Sequence, residues 1–360
     1  MTNTSHRIQF FLGANSAEGF ASLCDQWIDQ EDAQAFYLLK GGAGCGKSTL
    51  MGRVAQKMEE SGYSVEYIHC SGDPDSLDGI YIPGKGVAIA DGTSPHRMDP
   101  AFPGATGHYV DLGAGYDRNG LFFMRKEIIQ GVKAYQACYP AAYRCIRGAE
   151  ESRRRGRQPL HTEETLEKTE KRAEGILARE LKTRKEGPGR RIRRFLSGST
   201  CQGRILWKNT VLALCERGYE IRDDCGLAGM LLSRLEKGFL EAGYDVISCP
   251  SPEQPRRLEH LLIPERSLAF LTGPAEMEGF RTIRTESLVE KSAWQEGKSF
   301  LRLSNRVAEE LLEEGMDHLA QAKHLHDQLE VMYRPHMDFS VPEQQTKQII
   351  AEILKLPDTE

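Results

Sequence analysis

The sequence predicts an α/β fold made of two tandem halves, each a mostly parallel sheet followed by a helical segment. Three observations carry that expectation. The chain repeats itself: "FLGANSAEGF" at 11–20 returns as "FLSGSTCQGR" at 195–204, "SGYSVEYI" at 61–68 as "AGYDVISC" at 242–249, and "LDGIYIPGKGVAIADGT" at 77–93 as "LEHLLIPERSLAFLTGP" at 258–274. The offsets of 184, 181 and 181 residues drift only as small deletions in a duplicated chain require. Within each copy, short apolar runs alternate with helix-period stretches, the pattern of a parallel sheet covered on both faces. In both copies, too, a strand crosses a short Gly-containing bend into a Leu- or Met-rich helix, "YLLKGGAGCGKSTLMGRV" at 37–54 and "YEIRDDCGLAGMLLSRL" at 219–235.

In chain order, "IQFFLG" opens the first half as a strand of β-branched and aromatic residues, and a helix is expected over about 16–29. The strand "FYLL" feeds the bend, and 47–60 continues as a helix. "YSVEYIHC" is the next strand, and an Ile-Pro element at 82–83 precedes the apolar strand "GVAIAD". Residues 119–186 read as helical. Their arm at 162–186 carries only Leu166, Ala173, Leu177 and Leu181 as an apolar stripe, which predicts a projecting or weakly packed helix. "EGPGRR" at 186–191 ends that helix and links the halves, so domains are expected at 1–190 and 191–360. The second half repeats the plan with "RRFLSG", a helix over 202–216, the strand into "RDDCG", a helix over 228–241, "YDVISC", Ile-Pro at 263–264 and "SLAFLT". Its closing helical segment, 286–334, places Leu303, Val307, Leu311, Leu319, Leu325, Leu329 and Met332 at roughly helical spacing.

Composition excludes several classes. The 360 residues are 39% apolar and 28% charged, enough for two cores. No apolar run approaches the ~18–20 residues of a membrane span. "MTNTSHRIQFF" lacks a signal peptide's basic-then-apolar pattern, and nine cysteines without a C-x-x-C pair fit reduced thiols, so a cytoplasmic location is expected. The net charge of −5 conceals a basic stretch at 150–194, with 15 Lys/Arg against 9 Asp/Glu. It reads either as a solvated helical arm with basic ends, or as a surface for a nucleic acid or protein partner through "RRRGR" (153–157) and "GRRIRR" (189–194). No aromatic interleaving supports nucleic acid. His318, His324, His326 and His336 lie among Glu and Lys without metal-ligand spacing and read as solvated.

The chemistry is carried by "GGAGCGKS" at 41–48, which satisfies G-x-x-x-x-G-K-[ST] between a strand and a helix. The backbone of Gly41, Gly42, Ala43, Gly44, Cys45 and Gly46 can turn its N–H groups onto phosphate oxygens, because glycine puts no Cβ in the way. The helix N-terminus, at Lys47, Ser48 and Thr49, adds aligned dipoles. Lys47 is expected to reach the β- and γ-phosphates of ATP, and Ser48 to ligate Mg²⁺. Asp91, at the end of "VAIAD", is the expected second Mg²⁺-shell acid. Glycine follows it, so no adjacent glutamate polarises water, and a base must come from elsewhere. "HCSGDPDSLDG" offers His69, Asp73, Asp75 and Asp78 at the carboxyl edge of the sheet, as a base or simply as an Asp-rich turn. "DGTSPHRMDP" adds Thr93, His96, Arg97 and Asp99. Of these, Asp73 and His96 are the candidate catalytic groups beside Lys47 and Asp91.

These motifs resemble a family of uncharacterised bacterial tandem P-loop ATPases. "FFLGANSAEGF", "LKGGAGCGKSTLM", "HCSGDPDSLDGIYIP", "AIADGTSPHRMDPAFPGA" and "LHDQLEVMYRPHMDF" carry the resemblance. It implies two P-loop NTPase-like halves and a nucleotide-binding protein with ATP and Mg²⁺ as cofactors. The second half departs from the pattern: Gly41 aligns with Asp223, Gly46 with Ala228, Lys47 with Gly229, Ser48 with Met230 and Asp91 with Thr272. Phosphate lysine, Mg²⁺ hydroxyl and Mg²⁺ carboxylate are all missing there, and Asp223 and Asp224 are expected to repel phosphates. The leading expectation is an Mg²⁺-dependent ATPase with one site. The alternatives are a phosphotransferase acting on a small molecule or nucleotide held near Asp73, Asp75 and His96, and a nucleotide-gated binding protein with little turnover.

Overall fold

The computed structural model describes residues 7–93 and 98–359, which leaves His96 and Arg97 outside the described residues. The chain opens with β1 (Ile8–Phe11) and a hairpin of β2 (Gly13–Ser16) and β3 (Gly19–Ser22). Then come β4 (Ala35–Lys40), α1 (Lys47–Glu60), β5 (Glu66–His69), β6 (Leu77–Ile82), β7 (Val87–Asp91) and β8 (Gly107–Asp111). Three helices follow: α2 (Arg118–Phe123), α3 (Arg125–Arg157) and α4 (Glu163–Glu180). The succession then returns as β9 (Arg191–Arg193), the hairpin β10 (Ser197–Thr200) and β11 (Gly203–Leu206), α5 (Lys208–Leu214), β12 (Arg217–Arg222) and α6 (Ala228–Glu241). It continues with β13 (Val246–Pro250), β14 (Leu258–Ile263), β15 (Leu268–Thr272) and β16 (Arg281–Arg284), and closes on α7 (Lys291–Tyr333) and α8 (Ser340–Lys355).

The result is a mixed α/β molecule on two six-stranded sheets, ordered β1-β5-β6-β7-β4-β8 and β9-β13-β14-β15-β12-β16. Five strands of each run parallel, and β6 and β14 run against them. The expectation of strands alternating with helices is corrected here. Only residues 70–76 separate β5 from β6, too few for a crossover helix, so the chain doubles back as a hairpin. The helix expected over 16–29 is also corrected. Ser16 Oγ donates to Gly19 O at 2.6 Å and accepts from Glu18 N at 3.2 Å, and Gly19 sits at φ 112°; together they close the β2–β3 turn. Thr200 and Gly203 build the same turn between β10 and β11, so only 208–214 of the helix expected over 202–216 forms.

The sheets meet along their opening strands. Phe11 and Phe195 exchange both backbone hydrogen bonds at 2.9 Å, and Phe10, Leu12 and Leu196 join them in a core shared by both sheets. Asn15, 1% exposed, donates to Ser199 O at 3.0 Å, and the buried Arg194 pairs with Glu66 at 2.6 Å.

Helices α3 and α7 cross between the sheets. Gly131 faces Leu329, Gly148 faces Leu311 and Gly156 faces Ser304, so the two run antiparallel. Each then delivers a further helix to the sheet that lies away from its own origin. After α3, α4 packs on α6, burying Ala173, Ile176 and Leu177 with Leu235 and Phe239. After α7, α8 packs on α1, burying Ile349 and Ile353 with Val54 and Met58. The arm expected to project at 162–186 therefore lies against the second sheet's helix. Its buried line runs through Thr165 and Thr169, and Gly238 on α6 leaves room for Leu177, features that a count of apolar side chains misses. The segment after α8 is fastened as well: the buried Lys85 donates to Leu356 O at 2.6 Å, and Tyr63 donates to Asp358 at 2.8 Å.

A methyl on Gly156 would meet Ser304 Cβ at 2.5 Å and Leu301 Cα at 3.4 Å. Gly156→Ala should therefore destabilise the chain by about 1–3 kcal/mol, although alanine is the better helix former. A denaturant midpoint at or above wild type would show that α3 and α7 are not in close contact at this point.

Candidate functional site

β4 lies between β7 and β8, with Ala35 to Leu39 all buried. It ends at Lys40, and the chain turns through Gly44 at φ 67° and Gly46 at φ 91°, values that a side chain would strain. Helix α1 then buries Leu50, Met51, Val54, Ala55 and Met58 at helical spacing, which fixes its N-terminus at the end of β4. No side chain caps that N-terminus at Gly46.

The loop brings two of the expected residues, Lys47 and Asp91, together. Lys47 Nζ donates to Gly41 O at 2.7 Å and Gly42 O at 2.9 Å, and stands 3.6 Å from Asp91 Oδ2. Both side chains are mostly withdrawn from solvent, at 12% and 13% exposure, so their attraction is screened less than at a surface. Asp91 pairs in register with Leu39, and its Oδ1 accepts from Thr93 N at 2.8 Å and Thr93 Oγ1 at 2.6 Å. Ser48 Oγ accepts from Leu77 N at 3.0 Å, which leaves the hydroxyl its proton and a second lone pair. Cys45 is buried and Thr49 is exposed.

The acids beyond β5 are already engaged. Asp73 Oδ2 accepts from Ser76 Oγ at 2.7 Å and faces Lys323 Nζ of α7 at 3.5 Å. Asp75 accepts from Gln202 Nε2 at 2.7 Å, across the boundary between the sheets. His69 packs on Trp207 with centroids 4.4 Å apart and the rings tilted by 33°, and burial holds its pKa below the usual histidine value. His96 and Arg97 lie outside the described residues.

Four site-lining residues escaped the reading of the motif. Glu330 packs its Cβ against Gly44, Pro342 lies beside Gly46, and Tyr116 and Tyr333 flank Gly42 with ring centroids 5.5 Å apart. Burial pushes the Tyr116 hydroxyl above the ordinary tyrosine range. Three of the four come from α7 and α8, nearly 300 residues along the chain, and local pattern carries no signal for them.

The second loop is arranged differently. Asp223 turns onto the start of α6. Its Oδ1 accepts from Leu227 N at 2.8 Å and its Oδ2 from Ala228 N at 3.0 Å, so a carboxylate of the chain itself takes the N-terminal amides of α6. Charge and hydrogen bonding both favour an anion at that position. Arg157, the last residue of α3, lies over Gly226 and donates to Asp224 O at 3.3 Å. The basic arm has carboxylate partners along its length: Arg153 with Glu150, Arg154 and Arg155 with Glu151, Arg190 with Asp245, and Arg191 with Glu236. His318 and His326 each pair with a glutamate one turn away, and His336 with Asp117. Among the described residues, no helix is long and apolar enough to cross a membrane.

The model of one family, described as Nephrocystin 3, N-terminal, matches residues 21–79, a segment that includes the whole first loop and α1. Neither the curated proteins nor the solved structures contain a match.

Asp223→Ala removes the acceptor for two helix amides and should cost about 1 kcal/mol of stability. Asp224→Ala, at an exposed position, should stay within about 0.5 kcal/mol of wild type. Equal denaturant midpoints for the two variants would remove Asp223 from the role of cap.

Proposed function

We propose that the protein is an Mg²⁺-dependent ATPase with one nucleotide site, at the loop 41–48. The observation that carries this reading is the Lys47–Asp91 pair, with Ser48 next along the chain, at a glycine-rich turn that opens an α-helix without a side-chain cap. Such a turn suits phosphate, since converging N–H groups and the helix dipole both favour an anion. Lys47 rests on the carbonyls of Gly41 and Gly42, within reach of any anion the loop holds. Ser48 has a free lone pair and Asp91 a carboxylate oxygen turned toward Lys47, a hard-oxygen pair of the kind Mg²⁺ prefers. When bound, Mg²⁺ offsets the negative charge that develops on the phosphates.

The chain's own part is to bind, orient and neutralise. The loop amides hold the phosphates, Lys47 adds positive charge where a bond to the terminal phosphate breaks, and Asp91 and Ser48 hold the metal ion. Hydrolysis is preferred to transfer because Asp73 and Asp75, the acids best placed to serve an acceptor, are engaged by Lys323 and Gln202. The identical strand order of the two sheets supports a pair of P-loop NTPase-like halves, as does the bridge between Phe11 and Phe195. The resemblance to tandem P-loop ATPases agrees with that reading. The second half, with Asp223 in its loop, is then a non-binding complement.

Calorimetry on the full chain should find one MgATP site, weakened by roughly 30–100-fold in Lys47→Ala through the loss of about 2–3 kcal/mol of charged hydrogen bonding. Unchanged affinity would place the nucleotide elsewhere. Asp91→Asn should keep much of the ATP affinity and lose Mg²⁺-dependent phosphate release. Full turnover at limiting Mg²⁺ would take Asp91 out of the metal shell.

A further inference from the structure

A line of contacts joins the metal-side serine of the first loop to α7, the helix that follows the second sheet. Ser48 Oγ accepts from Leu77 N at 3.0 Å. The adjoining Ser76 donates its hydroxyl to Asp73 Oδ2 at 2.7 Å, and Ser76 N donates to Asp73 O at 2.9 Å. That same Asp73 oxygen faces Lys323 Nζ at 3.5 Å, while Asp73 Oδ1 is buried with no hydrogen-bond partner. The cation has a second carboxylate, Asp327, one helical turn on at 2.5 Å. Both acids raise the Lys323 pKa against the opposing effect of burial, so the amine stays charged. The base of the lysine is fixed, because α7 is locked against α3 by Leu329 over Gly131 and by the edge-on contact of His326 with Tyr135 at 5.4 Å.

We propose that Lys323 is a positioning residue for the phosphate site: it holds Asp73, and through the 73–77 turn and Leu77 N it sets the rotamer of Ser48. The proposal rests on the nucleotide reading of the first loop and adds a long-range determinant to it. The Ser48 hydroxyl needs a defined direction to serve as a metal ligand, and the N–H of Leu77 supplies it by occupying one lone pair. That N–H is only as well placed as the turn that carries it. The turn is short, closed by the Ser76–Asp73 bonds, and its partly buried carboxylate has one oxygen, Oδ1, enclosed and unbonded. Lys323 supplies the missing charge from α7, the helix that follows the second sheet. A cation suits that place, since a neutral side chain would leave the partly buried Asp73 carboxylate without its compensating charge.

Two measurements on the full chain test this, with wild type, Lys323→Ala, Lys323→Arg and Asp73→Asn compared. The first is hydrogen–deuterium exchange without nucleotide. Lys323→Ala and Asp73→Asn should speed exchange over 73–77 by about tenfold and leave α1 protected, and Lys323→Arg should restore the wild-type rate. The second is ATP binding at graded Mg²⁺. The Mg²⁺ needed for half-maximal effect should rise roughly tenfold in Lys323→Ala, as for other groups that orient a metal ligand. Affinity for ATP without Mg²⁺ should not change, because Lys47 and the loop amides are untouched. Unaltered exchange over 73–77, or no recovery with arginine, overturns the proposal. Should Lys323→Ala fail to fold, Asp73→Asn decides by the same readings. A wild type that binds no ATP sinks the nucleotide reading, and the exchange data still judge Lys323 separately.

Discussion

The structure depends on the antiparallel contact between α3 and α7. Neither helix is a simple extension of the sheet that precedes it. Each runs past the boundary between the sheets and hands its successor, α4 or α8, to the far side. The closeness of the pair comes from glycine and small residues where the helices meet, Gly148 and Gly156 on α3 with Ser304, Ala308 and Gly315 on α7. From this one contact follow the wall of Glu330 and Tyr333 beside the first loop, the seat of Arg157 over the second, and the line from Lys323 to Ser48.

The two loops treat one electrostatic problem in opposite ways. A helix N-terminus presents amides without backbone acceptors, and an anion there is favourable. At α6 the chain provides its own anion, Asp223, and sets an arginine beside it. At α1 it provides glycine, with a lysine folded back onto two carbonyls. One arrangement is complete by itself; the other, in the function proposed, keeps its charge for a phosphate.

Much of this was legible in the sequence, and the remainder failed for identifiable reasons. The helices expected at 47–60 and 228–241 begin and end where the structure has them, because their apolar period is strong and a glycine-bearing bend marks each start. Lys47 and Asp91 stand together because a strand–loop–helix motif and its neighbouring strand fix them locally. The β2–β3 hairpin was obscured because "NSAEGF" contains good helix formers, while the deciding turn bonds of Ser16 and Gly19 are short-range and polar. Strands β8 and β16 and helix α8 went unread, and β6 and β14 were seen only as the approach to an Ile-Pro pair. The place of α4 was unreadable in kind, since its buried line is half threonine and alanine. Lys323 and Glu330 reach the first loop only through tertiary packing, and no pattern within the loop's own stretch foretells them.

The seat of α8 also sets an order of events during synthesis. β8 ends at Asp111, whereas Ile349 and Ile353, which complete the same cluster, follow more than 230 residues later. At about 5–20 residues per second, that gap is on the order of ten to fifty seconds. Through that interval Val54 and Met58 lack their final neighbours, and Lys85 lacks the carbonyl and carboxylate it later binds. The second sheet receives α4 beforehand, so its helix cover is in hand as soon as α6 is made. A sheet translated early is thus completed late, and its apolar face waits on a helix far along the chain.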